Sequence, residues 1–333
     1  MPLRSGSVVA FGASAGGLDA LSQVVADLPA DLGAPVLVVV HTAPTPRSYL
    51  PAILDRAGPL PASLASEGAE LEPNQIFVAP PDHHLIVLDG KLRVVRGPHE
   101  NGHRPAIDPL FRSVALAFHE GAIAVVLSGA LDDGAAGSVA VSSLGGSVIV
   151  QDPAQAEFPD MPRNAIAADH PHAVLPLAEI APALVSLVRA PPERGWEGEE
   201  EGLRLERDYA TLSKEAVSRE DVFPDLAPFA CPSCGGSLWE APDEHQVRFR
   251  CRIGHAFGAD SLLSEQSQSL DASLAAALRA LHERADLARR LGRRMRAAGA
   301  TARAERYDRI VKESERDALA IRRVLLSCDG ADG

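Results

Sequence analysis

Residues Val36, Leu37, Val38, Val39 and Val40 are five aliphatic side chains in a row. A strand built from them has no polar face, so it cannot lie at the surface of a half-solvated sheet. It belongs in a parallel sheet covered by helices on both sides. The run at 7–11 reads the same way, and it is followed by helical spacing at Leu18, Leu21, Val25 and Leu28. Further strands are predicted near 75–79, 85–88, 92–95, 122–127, 146–150 and 173–175, with helices over 108–118 and from about 135. This alternation predicts an α/β domain over residues 1–190 with a doubly wound, mainly parallel sheet.

At 333 residues the chain has room for more than this domain. Residues 191–228 are acidic and punctuated by proline, which predicts a solvated linker with a short helix at 203–217. Residues 229–258 hold three of the four cysteines. From 259 to 328 the pattern is helical, with one apolar stripe at Leu270, Leu274, Leu278, Leu281, Ala285, Leu291 and Met295. A second stripe follows at Tyr307, Val311, Ala318, Ile321 and Leu325, with a turn between them at 297–301. Together these predict an antiparallel helical hairpin.

The formal net charge of -13 argues against a nucleic-acid partner. No apolar run is long enough to span a bilayer, and the first residues lack the layout of a secretory signal. With so few cysteines, the expectation is a chain of the reducing cytoplasm, without membrane insertion.

Three polar residues stand where strands should end. Ser14 lies on the glycine-rich turn Gly12-Ala13-Ser14-Ala15-Gly16-Gly17, His41 directly follows the run to Val40, and Asp133 lies in the loop after the strand at 122–127. In open α/β sheets, ligands bind outside the carboxyl ends of the strands, so three segments aim these side chains at one rim. A histidine can take the proton of a serine hydroxyl and return it to a leaving group, while a buried carboxylate fixes the imidazole tautomer. Each element alone has a plainer reading: a phosphate-binding turn, a structural histidine, a turn aspartate. The turn does not match G-x-G-x-x-G, and the set of three favours a nucleophilic triad.

Six blocks of residues 6–188 resemble, in order, the catalytic domain of the CheB family of chemoreceptor-glutamate methylesterases. They are the Ser14 turn, Val39-Val40-His41, residues 78–84 (family APxxxH), residues 103–113 (family HRPSVDxLFxS), residues 128–134 (family TGMGxDG) and residues 161–166 (family MPRxAI). The resemblance implies hydrolysis of glutamyl methyl esters on the cytoplasmic domain of methylated chemoreceptors, with deamidation of glutamines as an associated activity and no cofactor for catalysis. It implies Ser14 as nucleophile, His41 as acid/base and Asp133 as orienting carboxylate. The backbone of Ala130 and Ala15 would hold the oxyanion, and Arg104 would contact the substrate. Ala15, Ala130 and Leu131 depart from the family's usual threonine, methionine and glycine. These departures leave open a same-fold esterase or amidase acting on a non-receptor substrate; a catalytically silent signalling scaffold is a third reading. With the first strand at residue 7, the expectation is a chain without the family's N-terminal receiver.

Cys231-x2-Cys234, sixteen intervening residues and Cys251-x3-His255 have the spacing of a Cys3His zinc site. Four protein ligands leave no open position, so a structural zinc is predicted. Leu238, Trp239, Val247 and Phe249 would form a small sheet around it. His83, His84, His99 and His103 lack ligand spacing, and no metal is expected there. The helical arms are rich in arginine, which offers a face for self-association or an acidic signalling partner.

Overall fold

The computed structural model describes residues 6–41, 48–190, 201–214, 216, 225–241 and 246–328. Its main sheet has seven strands, all parallel: β1 (Val8–Ala13), β2 (Val36–Val40), β3 (Ala62–Leu64), β4 (Ile76–Val78), β7 (Ala122–Val126), β8 (Ser147–Gln151) and β9 (Ala173–Leu175), in the order β3-β4-β2-β1-β7-β8-β9. Every residue of β1, β2 and β7 is buried, as expected of strands covered on both faces. The helices α1 (Gly17–Ala26), α2 (Leu50–Ala57) and α6 (Leu177–Arg189) close one face, and α3 (Ile107–Phe118), α4 (Ala135–Ser143) and α5 (Asp160–Ala168) the other. The strands β5 (His84–Leu88) and β6 (Lys91–Val95) are not in this sheet. They form an antiparallel hairpin against α3.

The chain winds outward from β1 to β2 and then crosses back to β7 on the other side of β1. The sheet therefore reverses direction at β1, which opens a crevice beyond the carboxyl ends of β2, β1 and β7. Ser14, His41 and the loop holding Asp133 leave these three neighbouring strands.

Within the stretch expected to be a solvated linker, one helix is packed. Residues 191–200 and 217–224 lie outside the described residues, but α7 (Glu201–Ala210) packs on α3 and buries Tyr209 and Ala210. The cysteine-rich region is larger than two knuckles. The strands β10 (Asp225–Ala230), β11 (Ser237–Ala241), β12 (Arg248–Cys251) and β13 (Ala256–Gly258) form one antiparallel sheet. Leu238 and Phe249 lie in its core with Ala227, Phe257, Leu262 and two cysteines, whereas Val247 is exposed. This sheet and the α/β layers cluster as one compact unit that extends to Leu262, so the expected boundary between separate domains at 190–229 does not divide the contacts.

A second unit begins at Leu263 and contains most of α8 (Ala259–Ala297) and α9 (Thr301–Cys328). Gly299, at φ 74, makes the turn between them. The two arms run antiparallel, joined by Arg296–Asp308 and Arg289–Glu315. Their seam is built on small residues, with Ala285, Ala288, Ala304, Ala318 and Ser314 buried. The leucines expected to form the stripe are only half-buried, and Leu270 is exposed.

Candidate active site

The residue after β1 is fixed by backbone before its side chain acts. The Ser14 N–H donates to the Ser128 carbonyl at 3.0 Å, and the Gly17 N–H donates to the Ser14 carbonyl. Gly16 stands at φ 67, a left-handed conformation that turns the chain into α1. Gly129 packs directly on this turn: a Cβ there would lie 2.9 Å from the Ser14 Cβ and 2.2 Å from the Met161 sulfur. Across the crevice, the His41 N–H donates to the Ala13 carbonyl at 3.1 Å, continuing the β1–β2 register one residue past the strand.

The three side chains meet in a line. His41 Nδ1 is 3.2 Å from Ser14 Oγ, and His41 Nε2 is 2.7 Å from Asp133 Oδ2. Asp133 is 2% exposed and also accepts from the N–H groups of Ile107, at 2.7 Å, and Asp108, at 3.2 Å. Burial alone would raise its pKa. The hydrogen bond and charge of His41, with the Ile107 N–H and His103, outweigh this and hold the group well below the usual carboxylate range. An ionised carboxylate only accepts, so His41 Nε2 must carry the proton. The Nδ1 lone pair then faces the serine hydroxyl.

Of the other residues singled out from sequence, Ala130 and Ala15 lie on the two loops that meet at Ser14. The Ala15 carbonyl accepts from Ser128 Oγ at 2.8 Å. Among the described residues, no acceptor takes the backbone N–H of Ala15 or Ala130. Arg104 is committed elsewhere: Nε and Nη2 donate to Asp82 Oδ1 at 2.8 and 2.5 Å, and Nη1 donates to the Gly97 carbonyl at 2.7 Å. Three of its five N–H groups thus brace a loop. Leu131, at the family's glycine position, has φ 63, a conformation that costs a leucine roughly 1–2 kcal/mol.

Several neighbours were given no role in the site by sequence reasoning. The His103 ring stacks on His41 with centroids 3.6 Å apart and planes 18° from parallel. Burial, then the charge of His41, lowers the His103 pKa to about 4, so this ring is neutral when the site works near neutral pH. Its ring protons should accordingly titrate near pH 4 by NMR; an ordinary midpoint near 6.5 would mean that the stack is open to solvent. Asn101 donates to both Asp133 and Asp108, and Asp108 in turn accepts from Gly134 and Gly137. Burial and the adjacent charge of Asp133 raise the pKa of Asp108. The buried His84 accepts from the Ala106 N–H and donates to the Pro98 carbonyl, so backbone uses both of its nitrogens.

A second constellation lies in the antiparallel sheet. The donor atoms of Cys231, Cys234, Cys251 and His255 all lie within 4.8 Å of one another. Cys234 and Cys251 sulfurs are 3.8 Å apart, and His255 Nδ1 is 3.7 and 3.4 Å from the sulfurs of Cys231 and Cys251. Tetrahedral bonds of about 2.3 Å to sulfur and about 2.0 Å to nitrogen require edges of about 3.8 and 3.5 Å. The donor set therefore fits a zinc-sized ion.

Comparisons with known proteins bear on the α/β layers. The model of the CheB methylesterase family matches residues 9–184. A protein-glutamate methylesterase/protein-glutamine glutaminase of Anaeromyxobacter dehalogenans is 43% identical over 186 residues, which is 55% of this chain and 54% of that protein. One from Myxococcus xanthus is 38% identical over 183 residues, 55% of this chain and 52% of that protein. The chain thus spans about half the length of the curated relatives it matches. The crystal structure of the Thermotoga maritima CheB methylesterase catalytic domain superimposes with a TM-score of 0.53 at 32% identity, over 55% of this chain and 100% of that one. The chain belongs to the CheB methylesterase family.

Proposed function

We propose that the protein is a serine hydrolase that removes methyl esters from glutamates of chemoreceptor cytoplasmic domains. The observation that carries this reading is the line from Ser14 through the two His41 nitrogens to the buried Asp133 carboxylate. His41 Nδ1 takes the proton as Ser14 Oγ attacks the ester carbonyl. The N–H groups of Ala15 and Ala130 receive the oxyanion, supported by the amino end of α1. His41 then gives the proton to the departing methoxide, and methanol leaves. Water, deprotonated by the same nitrogen, attacks the acyl-serine, which releases the glutamate carboxyl and restores the serine. A glutamine side chain would follow the same steps with ammonia as the leaving group. Such a substrate puts the work in the cytoplasm. The basic outer face of the helical arms suits an acidic helical partner.

The reading is tested by incubating the protein with a methylated receptor cytoplasmic domain and measuring methanol. Release that depends on Ser14 is expected. Turnover of a small ester without methanol from the receptor would mean a different substrate, and no turnover of either would mean a silent fold.

We further propose that Cys231, Cys234, Cys251 and His255 hold a structural zinc. The core around them has five buried apolar side chains besides the cysteines, a small core that a metal would complete. Purified protein should contain about one zinc per chain. Elemental analysis of a fully reduced sample that finds no stoichiometric metal would refute this.

A further inference from the structure

Asn101 lies on the loop between β6 and α3, 4% exposed and at φ 52, and the triad chemistry assigns it no task. Its side-chain NH2 donates to Asp133 Oδ1 and to Asp108 Oδ2, both at 2.9 Å. Its Oδ1 accepts from the Gly258 N–H at 2.8 Å, and its own backbone N–H donates to the Ala256 carbonyl at 2.8 Å. A donor on one side and two carboxylates on the other fix which end of the amide faces Asp133.

Ala256 and Gly258 are β13, which starts at the residue after His255. The next residues reach the same catalytic loop. Asp132, beside Asp133, accepts from the Asp260 N–H at 3.2 Å and from the Ser261 hydroxyl, so its carboxylate caps the first turn of α8. Residues 256–261 thus hold the catalytic loop at two adjacent aspartates, from a segment outside residues 9–184 that the family model matches.

We infer that Asn101 is a positioning residue for the catalytic carboxylate and that the metal-binding sheet, through β13, is the clamp that sets it, so that the hydrolase is competent only when that sheet is folded around its metal. The inference rests on the triad and metal readings above. Asp133 keeps His41 in the productive tautomer only while its own orientation is held. Asn101 joins the N–H groups of Asp108 and Gly134 in holding the oxygen of Asp133 that His41 does not use, and an Asn101 released by β13 loses the two bonds that keep its loop in place. Losing the metal therefore acts on the hydrolase at a distance, through two hydrogen bonds of 2.8 Å.

The experiment compares the zinc-loaded full chain with the same chain stripped by a chelator, by amide hydrogen exchange and by turnover of a small ester. Stripping should remove protection from the amides of Asn101 and Gly258 and also from Ile107 and Gly134, which bond to Asp133 and Asp108. The Val9 amide in the central sheet should keep its protection. The kcat should fall at least about tenfold, equivalent to about 1.4 kcal/mol, and zinc should restore both. Loss of protection confined to the cysteine-rich sheet, with Ile107 and Gly134 unchanged, would overturn the inference. If stripping unfolds the whole unit, Asn101→Asp in the loaded protein decides. That variant still accepts from Gly258 but faces Asp133 and Asp108 without a donor. Its kcat should fall about tenfold with KM nearly unchanged, and its activity relative to the unsubstituted protein should recover as pH falls and the new carboxyl gains a proton to donate. A ratio near one at every pH would overturn the proposal. If the loaded, unsubstituted protein turns over no ester, the triad reading fails, while hydrogen exchange still reports the coupling.

Discussion

Ser14→Ala should lower kcat for ester hydrolysis by roughly a millionfold while leaving the fold intact. The two backbone hydrogen bonds that fix residue 14 use its N–H and carbonyl, and the variant keeps both. What it loses is the hydroxyl 3.2 Å from His41 Nδ1. His41→Gln should be comparably severe, since no other base stands against Ser14 Oγ among the described residues. Asp133→Asn should cost about 10⁴ in kcat through the wrong imidazole tautomer. It is a less clean test, because an asparagine there must turn its NH2 toward a group that donates: either His41 and Ile107, or Asn101 and Asp108. Paired measurements of kcat and Tm separate the two effects. Near-normal turnover by Ser14→Ala, measured on protein free of contaminating esterase, would end the triad assignment.

The parts of this site that could be read from sequence share a physical cause. Val36 to Val40 identify a doubly covered strand because all five side chains are apolar, and a polar residue after such a strand stands at the carboxyl rim. Ser14, His41 and Asp133 are visible for this reason. Asn101 is not: it sits in a loop with no periodicity, and its partners are 7, 32 and 157 residues away in the chain. The same limit hid β3, three residues long and half-exposed, and α5, whose Met161-Pro162 opening reads as loop. Leu131 shows the reverse case. The family pattern marks the position as glycine, and the positive φ supplies the reason, but nothing local in the sequence declares a left-handed leucine.

Within the acidic stretch, α7 packs on the fold for an electrostatic reason. A run of glutamates is ordinarily a solvated face, and only a remote cluster of cations makes burial of one of them favourable. That cluster is Arg112 on α3 with Arg248 and Arg250 on β12, from segments that look unrelated in sequence. Arg112 Nη2 donates to both oxygens of Glu100, at 2.8 and 2.6 Å. Arg248 Nη1 donates to both oxygens of Glu206, at 2.8 and 2.9 Å, and Arg112 Nη1 is 3.2 Å from Glu206. Arg250 lies between the two carboxylates, its guanidinium 5.1 Å from the centre of the Tyr209 ring. Three guanidinium groups and two carboxylates thus tie α7, α3 and the metal-binding sheet together.

Glu206→Gln should therefore destabilise this unit by about 3–5 kcal/mol, since it leaves three buried guanidinium groups sharing the single carboxylate of Glu100. For a unit of this size the loss corresponds to a fall in Tm of roughly 6–20 °C. The pH dependence gives a sharper signature. Burial opposes the charge on Glu206, but Arg248, Arg112 and Arg250 outweigh it and hold the carboxyl well below its usual range. A group with a lowered folded-state pKa contributes stability that is fully present above the unfolded value, about 4.3 for glutamate, and is lost as pH falls through the folded value. The difference between the two proteins should be constant from neutral pH down to about 5 and should shrink below about 4, where the carboxyl takes a proton in the unfolded chain but not yet in the folded one. Denaturant unfolding at pH 7, 5 and 3.5 measures it. Equal stability at pH 7 would mean that the arginines are solvated rather than buried, and that α7 does not bind the metal-binding sheet to the α/β layers.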